Sequence, residues 1–135
     1  MSDSNKALVE HIFDELSRGN ARPLVDSMSD EFRWTVSGTT KWSGIYEGKQ
    51  NVLSRLLNPL GKHIDGRIVL VPSRVIAEGE HVAVEARGNN TTRAGLPYNN
   101  EYCFVFRVAG GKIREVIEYG DTALINAVLP DPERQ

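Results

Sequence analysis

Proton transfer without a cofactor needs a carboxylate whose surroundings keep it from being permanently ionised, so the acids set among apolar residues come first. Glu118 stands between Val116, Ile117 and Tyr119, where burial would raise its pKa and poise it as a general base or acid near neutrality. The competing reading is a solvent-facing carboxylate, or one bridged to Arg87 or Arg114. Asp121 follows three residues later and is a second candidate acid, though an acid just before Thr122 could equally cap a short C-terminal helix. Glu85 comes after Val82-Ala83-Val84, and strand alternation puts it on one face with His81, Ala83 and Arg87. That face is either the wall of a polar pocket or the outside of the sheet. Trp34, Tyr98, Tyr102 and Tyr119 could line an apolar pocket with polar handles for a small molecule, or serve as plain core or interface.

Other chemistries find little support. The three histidines are scattered without ligand spacing, so no metal site is expected. Neither a G-x-S-x-G elbow nor a Gly-rich phosphate loop is present, and no cofactor is expected. The lone Cys103 sits in the apolar run Tyr102 to Phe106 and reads as a small hydrophobe rather than a reactive thiol. A net charge of -2 spread in both signs gives no footprint for nucleic acid. Nowhere do 18 apolar residues run together, and the first five residues carry no basic or apolar signal region, so the expectation is a cytoplasmic protein without membrane association. With 135 residues, one domain over 1–135 is the economical reading.

The elements that would hold these residues can be traced from period. Ala7, Leu8, Ile12 and Leu16 recur at helical spacing and stop at Gly19; a shorter helix follows Pro23 with Leu24, Val25 and Met28 on its face. Phe32, Trp34 and Val36 alternate with polar residues as in a half-buried strand. Thr39 to Gly48 reads as a loop. Val52, Leu53, Leu56, Leu57 and Leu60 make a third helix, disturbed near its end by Asn58-Pro59. From Ile64 onward the period changes. A long strand to Ala77 and another over 81–87 form a hairpin, and strands over 98–108 and 112–119 join through Gly110-Gly111. Pro72 predicts an edge strand or a bulge. Helices first and long antiparallel strands afterwards indicate an α+β fold, with three helices of the N-terminal half packed on a strongly curved, mostly antiparallel sheet that encloses a pocket.

This order resembles the NTF2-like cone over about residues 7–129, and local stretches sharpen the resemblance toward its SnoaL-like and ketosteroid-isomerase-like branch. They are Ser17-Arg18-Gly19-Asn20, Gly44-Ile45-Tyr46-Glu47-Gly48, and Tyr98-Asn99-Asn100-Glu101-Tyr102 with Gly111-Lys112-Ile113 and Glu118-Tyr119-Gly120-Asp121. The resemblance implies a pocket for a small hydrophobic molecule, and acid/base carboxylates where the protein is an isomerase, cyclase or hydrolase. It also covers non-catalytic binders and protein-interaction modules. By alignment the ketosteroid isomerase tyrosine, base and second acid fall near Ile12, Val36 and Cys103, none of which suits that mechanism. Glu118 is similar in context to an acid of limonene epoxide hydrolase, and Asp121 takes the second place. Glu85 and Arg87 echo that enzyme's Arg-x-Asp pair in reverse order. Apolar residues on the open sheet face suggest a homodimer.

Overall fold

The computed structural model describes residues 2–132. Helix α1 (Ser2–Leu16) carries Val9, Ile12, Phe13 and Leu16 on one face, the i, i+3, i+4, i+7 set, and all four are buried. Helix α2 (Arg22–Ser27) starts with Pro23 in its first turn, where a missing N–H costs nothing. Strand β1 (Met28–Val36) buries Phe32, Trp34 and Val36 and leaves Arg33 outward.

Here the structure departs from the sequence reading. Gly44–Glu47 is not loop but strand β2, antiparallel to β1 with Trp34 opposite Tyr46. Four residues are too few to display a period, and β2 lies at the sheet edge, where only one neighbour is needed. The helix after Gly48 also differs. It runs as α3 (Lys49–Val52), a π-helical turn (Leu53–Leu57) and α4 (Asn58–His63) without stopping at Asn58-Pro59. Pro59 has no N–H to give the preceding turn, and the wider turn instead lets the Asn58 N–H bond the Leu53 carbonyl.

Strands β3 (Leu70–Glu78), β4 (His81–Gly88), β5 (Glu101–Ala109) and β6 (Lys112–Gly120) complete one six-stranded sheet in the order β2-β1-β6-β5-β4-β3. All neighbours are antiparallel except β1 and β6, which run parallel. Pro72 sits on edge strand β3 at a register shift, as its chemistry requires. Further shifts in β1 and between Arg107 and Val108 bend the sheet. Gly110 and Gly111, at φ of +61° and +72°, close the β5–β6 hairpin. Strand β3 begins at Leu70, later than the Ile64 start expected; Ile64 makes only an isolated bridge to Thr92.

One face of the sheet is covered by helices. Phe13 of α1 packs its ring 5.7 Å from Phe104 and 5.9 Å from Phe106 on β5. Helix α5 (Thr122–Val128) folds back after β6. Gly38, at φ +96°, permits this approach, since a Cβ there would lie 2.7 Å from Thr122 Cγ2. The architecture is the expected α+β cone with helices collected on one side of a mixed, mostly antiparallel sheet. No helix among the described residues is long and apolar enough to cross a membrane.

Candidate functional site

Period-two alternation sorts every strand residue to one face or the other. On β6, Val116 and Glu118 share the helix-covered face with Trp34 and Val36 of β1 and Phe104 of β5; Glu118 stands directly between Val36 and Phe104 in register. A carboxylate is thereby delivered into apolar surroundings by the strand pattern itself.

Beneath the helices lies a cavity of about 260 Å³. Trp34, Phe104, Tyr98 and Tyr102 line it from the sheet side; Leu53, Leu56, Leu57 and Leu60 line it from the π-turn and α4; Ile125 and Leu129 close it from the C-terminal end. Glu118 is the one acid in this lining among the described residues. It forms no ion pair with Arg87, Arg114 or any other described cation. Its hydrogen-bond donor is the indole Nε1–H of Trp34, at 3.1 Å to Oε1. Burial pushes the Glu118 carboxyl up to about 7, while the Trp34 hydrogen bond holds it from rising further. Glu118 as a whole residue is partly buried, and it is among the residues that line the cavity.

Two phenols accompany it. The Tyr102 hydroxyl donates to the Tyr98 hydroxyl at 3.5 Å, and the Asn100 Nδ2 donates to the same oxygen at 3.3 Å. Both tyrosines are pushed up, Tyr102 strongly, first by burial and then in part by the Glu118 charge. Neither of these bonds uses the proton of Tyr98. Asn100, fully buried, fixes the corner by also bonding the backbone of Asp121 in both directions, at 2.9 Å and 3.4 Å.

The other sequence candidates lie elsewhere. Asp121 is exposed, and its carboxylate accepts the Leu124 N–H at 3.2 Å as the N-cap of α5, so its side chain satisfies a helix end instead of reaching the cavity. Glu85, Arg87 and Tyr119 are on the open face of the sheet. Val82, Val84 and Ala86 occupy the covered side of β4, which turns Glu85 outward to pair with Arg74 at 3.2 Å. Tyr119 is 48% exposed, opposite Cys103. Sequence reasoning did not place Asn100 in the site, nor the π-turn leucines, which read only as a helix face. A π-turn leaves no mark in apolar spacing. Among the described residues no group of three His, Cys, Asp or Glu could hold a metal ion.

This geometry can be set beside known proteins. A search of curated protein sequences gives no significant match. Solved structures match in fold. An NTF2-like protein of unknown function from Burkholderia pseudomallei K96243 is 21% identical with a TM-score of 0.80, covering 96% of this chain and 100% of that one. A protein described as a SnoaL-like polyketide cyclase from Jannaschia sp. CCS1 is 19% identical at 0.77, covering 98% and 96%. TerC, co-crystallised with polyporic acid, is 16% identical at 0.76, covering 93% and 97%. The family model for the SnoaL-like domain matches residues 9–116, which is most of the chain. That match spans well over half of the chain, and this protein belongs to the SnoaL-like family.

Proposed function

We propose that the cavity binds a small, mostly apolar molecule and that Glu118 transfers a proton to or from it without a cofactor, as in isomerisation, cyclisation or addition of water. The observation that carries this reading is a cavity carboxylate without a cationic partner, held near pKa 7 by burial. At neutral pH both protonation states are populated, so one group can take a proton and return it in the same turnover. Tyr98 would stabilise negative charge developing on the substrate oxygen, because its own proton is left free by the two bonds it accepts. Trp34 and Tyr102 would hold the apolar body and orient Glu118. A SnoaL-like polyketide cyclase and a polyporic-acid complex among the structural neighbours are in keeping with a cyclic, oxygenated ligand.

The test is deuterium exchange. A panel of small cyclic ketones incubated with the protein in D₂O is read by NMR for deuterium at the carbon next to the carbonyl. The wild type is expected to exchange at least one of them, and Glu118→Gln to lower that rate by about 10² to 10⁴-fold. Binding without exchange in the wild type would favour a second reading, a passive ligand-binding domain. That reading is supported by the arrival of Glu118 in the cavity without the other two candidate acids, Asp121 and Glu85.

The pairing of copies through the open sheet face belongs to the same proposal. Register places Ile76, Ala83, Val105, Ile117, Thr35 and Ile45 in one row across all six strands, and Ile45 and Ile76 are 63% and 57% exposed. Such an apolar row supports a homodimer. Sedimentation should show a dimer at micromolar concentration, and Ile76→Lys should shift it to monomer with the fold intact; a wild-type monomer would overturn this part.

A further inference from the structure

A second, larger cleft of about 480 Å³ lies on the other side of the helical wall. Its charged lining is Lys41, Arg55 and Lys62 against the single carboxylate of Asp131, a locally positive site on a chain whose net charge is -2. None of the three cations pairs with a described acid, whereas Arg18, Arg22, Arg33, Arg74 and Arg107 all do. Ser54 and Asn58 add a hydroxyl and an amide, and neither side chain bonds another described residue. Arg55 from the π-turn and Lys62 from α4 both line this cleft.

Cleft and cavity are adjoining. The segment from Leu53 to Lys62 sends its leucines into the cavity and Ser54, Arg55 and Lys62 into the cleft, and Asn58 lines both. The division is that of an amphipathic helix, Leu53, Leu56, Leu57 and Leu60 falling at i, i+3, i+4 and i+7. Tyr46 stands between the two, with its hydroxyl donating to the carbonyl of the cavity residue Trp42 at 2.7 Å. Burial raises the pKa of that phenol, and of the charges that also reach it Arg55 lowers and Glu118 raises it.

We infer that the Lys41, Arg55 and Lys62 cleft binds the anionic group of a ligand whose apolar body occupies the cavity. This rests on the cavity being the binding site proposed above, and it narrows the ligand class to amphipathic anions, either carboxylates or phosphate esters. Cations free of protein partners can give charge-assisted hydrogen bonds to an oxyanion without first breaking an ion pair. The cavity lining is almost wholly apolar, so a charged group of the ligand is better placed outside it, and at Asn58 the cavity adjoins the cationic cleft.

Three probes with the same apolar end separate the possibilities: 4-phenylbutyrate, 4-phenylbutyl phosphate and neutral 4-phenylbutanol, titrated by calorimetry and by the fluorescence of Trp34 and Trp42. At least one anion should bind about tenfold or more tighter than the alcohol, with an advantage that shrinks as salt is raised. Preference for one anion over the other identifies its source as carboxylic acid or phosphate ester. The double variant Arg55→Gln/Lys62→Gln should abolish the advantage and leave the affinity for the alcohol unchanged. Equal binding of all three, or an anion advantage that survives the double variant, overturns the inference while the cavity reading stands. Failure of every probe to bind the wild type overturns both.

Discussion

Two glutamates three residues apart on β6 have opposite fates. Glu115, on the open face, receives the Arg33 guanidinium, whose Nε donates at 2.8 Å; Glu47 approaches the same arginine from β2 at 3.7 Å. Glu118, on the covered face, receives only the indole of Trp34, the very next residue on β1. Other exposed acids repeat the first pattern, Glu85 on the open face with Arg74 and Glu80 in the β3–β4 turn with Arg107. One face spends its acids in exposed ion pairs, which are individually weak. The other holds one acid without a counter-charge, where desolvation dominates. The difference shows how nearby positions of one strand can give the same residue type an exposed ion pair on one face and a desolvated, unpaired carboxyl on the other.

The comparison can be broken most directly at Glu118. An acid whose folded pKa is raised above its unfolded value loses stability as pH rises from the unfolded value near 4.5 to the folded value near 7, and the penalty is constant above that. The difference between those values corresponds to about 3 kcal/mol. Denaturation across pH 4 to 8 should therefore show this loss in the wild type and not in Glu118→Gln, which should be the more stable protein at pH 8. Parallel curves for the two would mean that Glu118 is not desolvated. A smaller effect is expected from Trp34→Phe. Removing the indole N–H takes away the one interaction that favours the ionised form, so the end of the pH-dependent loss should move to higher pH. No movement would show that the indole bond is idle. The smallest effect belongs to the open face: Arg33→Gln should change thermal stability little, and that little should vanish in high salt. A loss rivalling that at Glu118 would erase the distinction between faces.

Much of this was legible in sequence, and what was not has physical reasons. The alternation of Phe32, Trp34 and Val36 fixed which side of β1 is buried, and the same rule applied to Val82, Val84 and Ala86 turns Glu85 and Arg87 outward. Around Glu118 the rule has less purchase, because Val116, Ile117 and Tyr119 place apolar residues on both faces; the register with Val36 and Phe104 decides it. Asp121 could be read either as an acid of the site or as a cap, and the Leu124 N–H claims its carboxylate. Strand β2 is too short for periodicity to register. The cationic cleft joins Lys41 from a loop with Arg55 and Lys62 from a helix, a convergence that only the folded chain creates.

The central claim is the state of one carboxyl group. With ¹³C-labelled glutamate, the side-chain carboxyl resonance of Glu118, assigned by its loss in Glu118→Gln, can be followed from pH 4 to 9. The account predicts a midpoint near 7, well apart from the other glutamates. A midpoint among ordinary carboxylates, near 4.5, would contradict it and leave the cavity without its proton carrier.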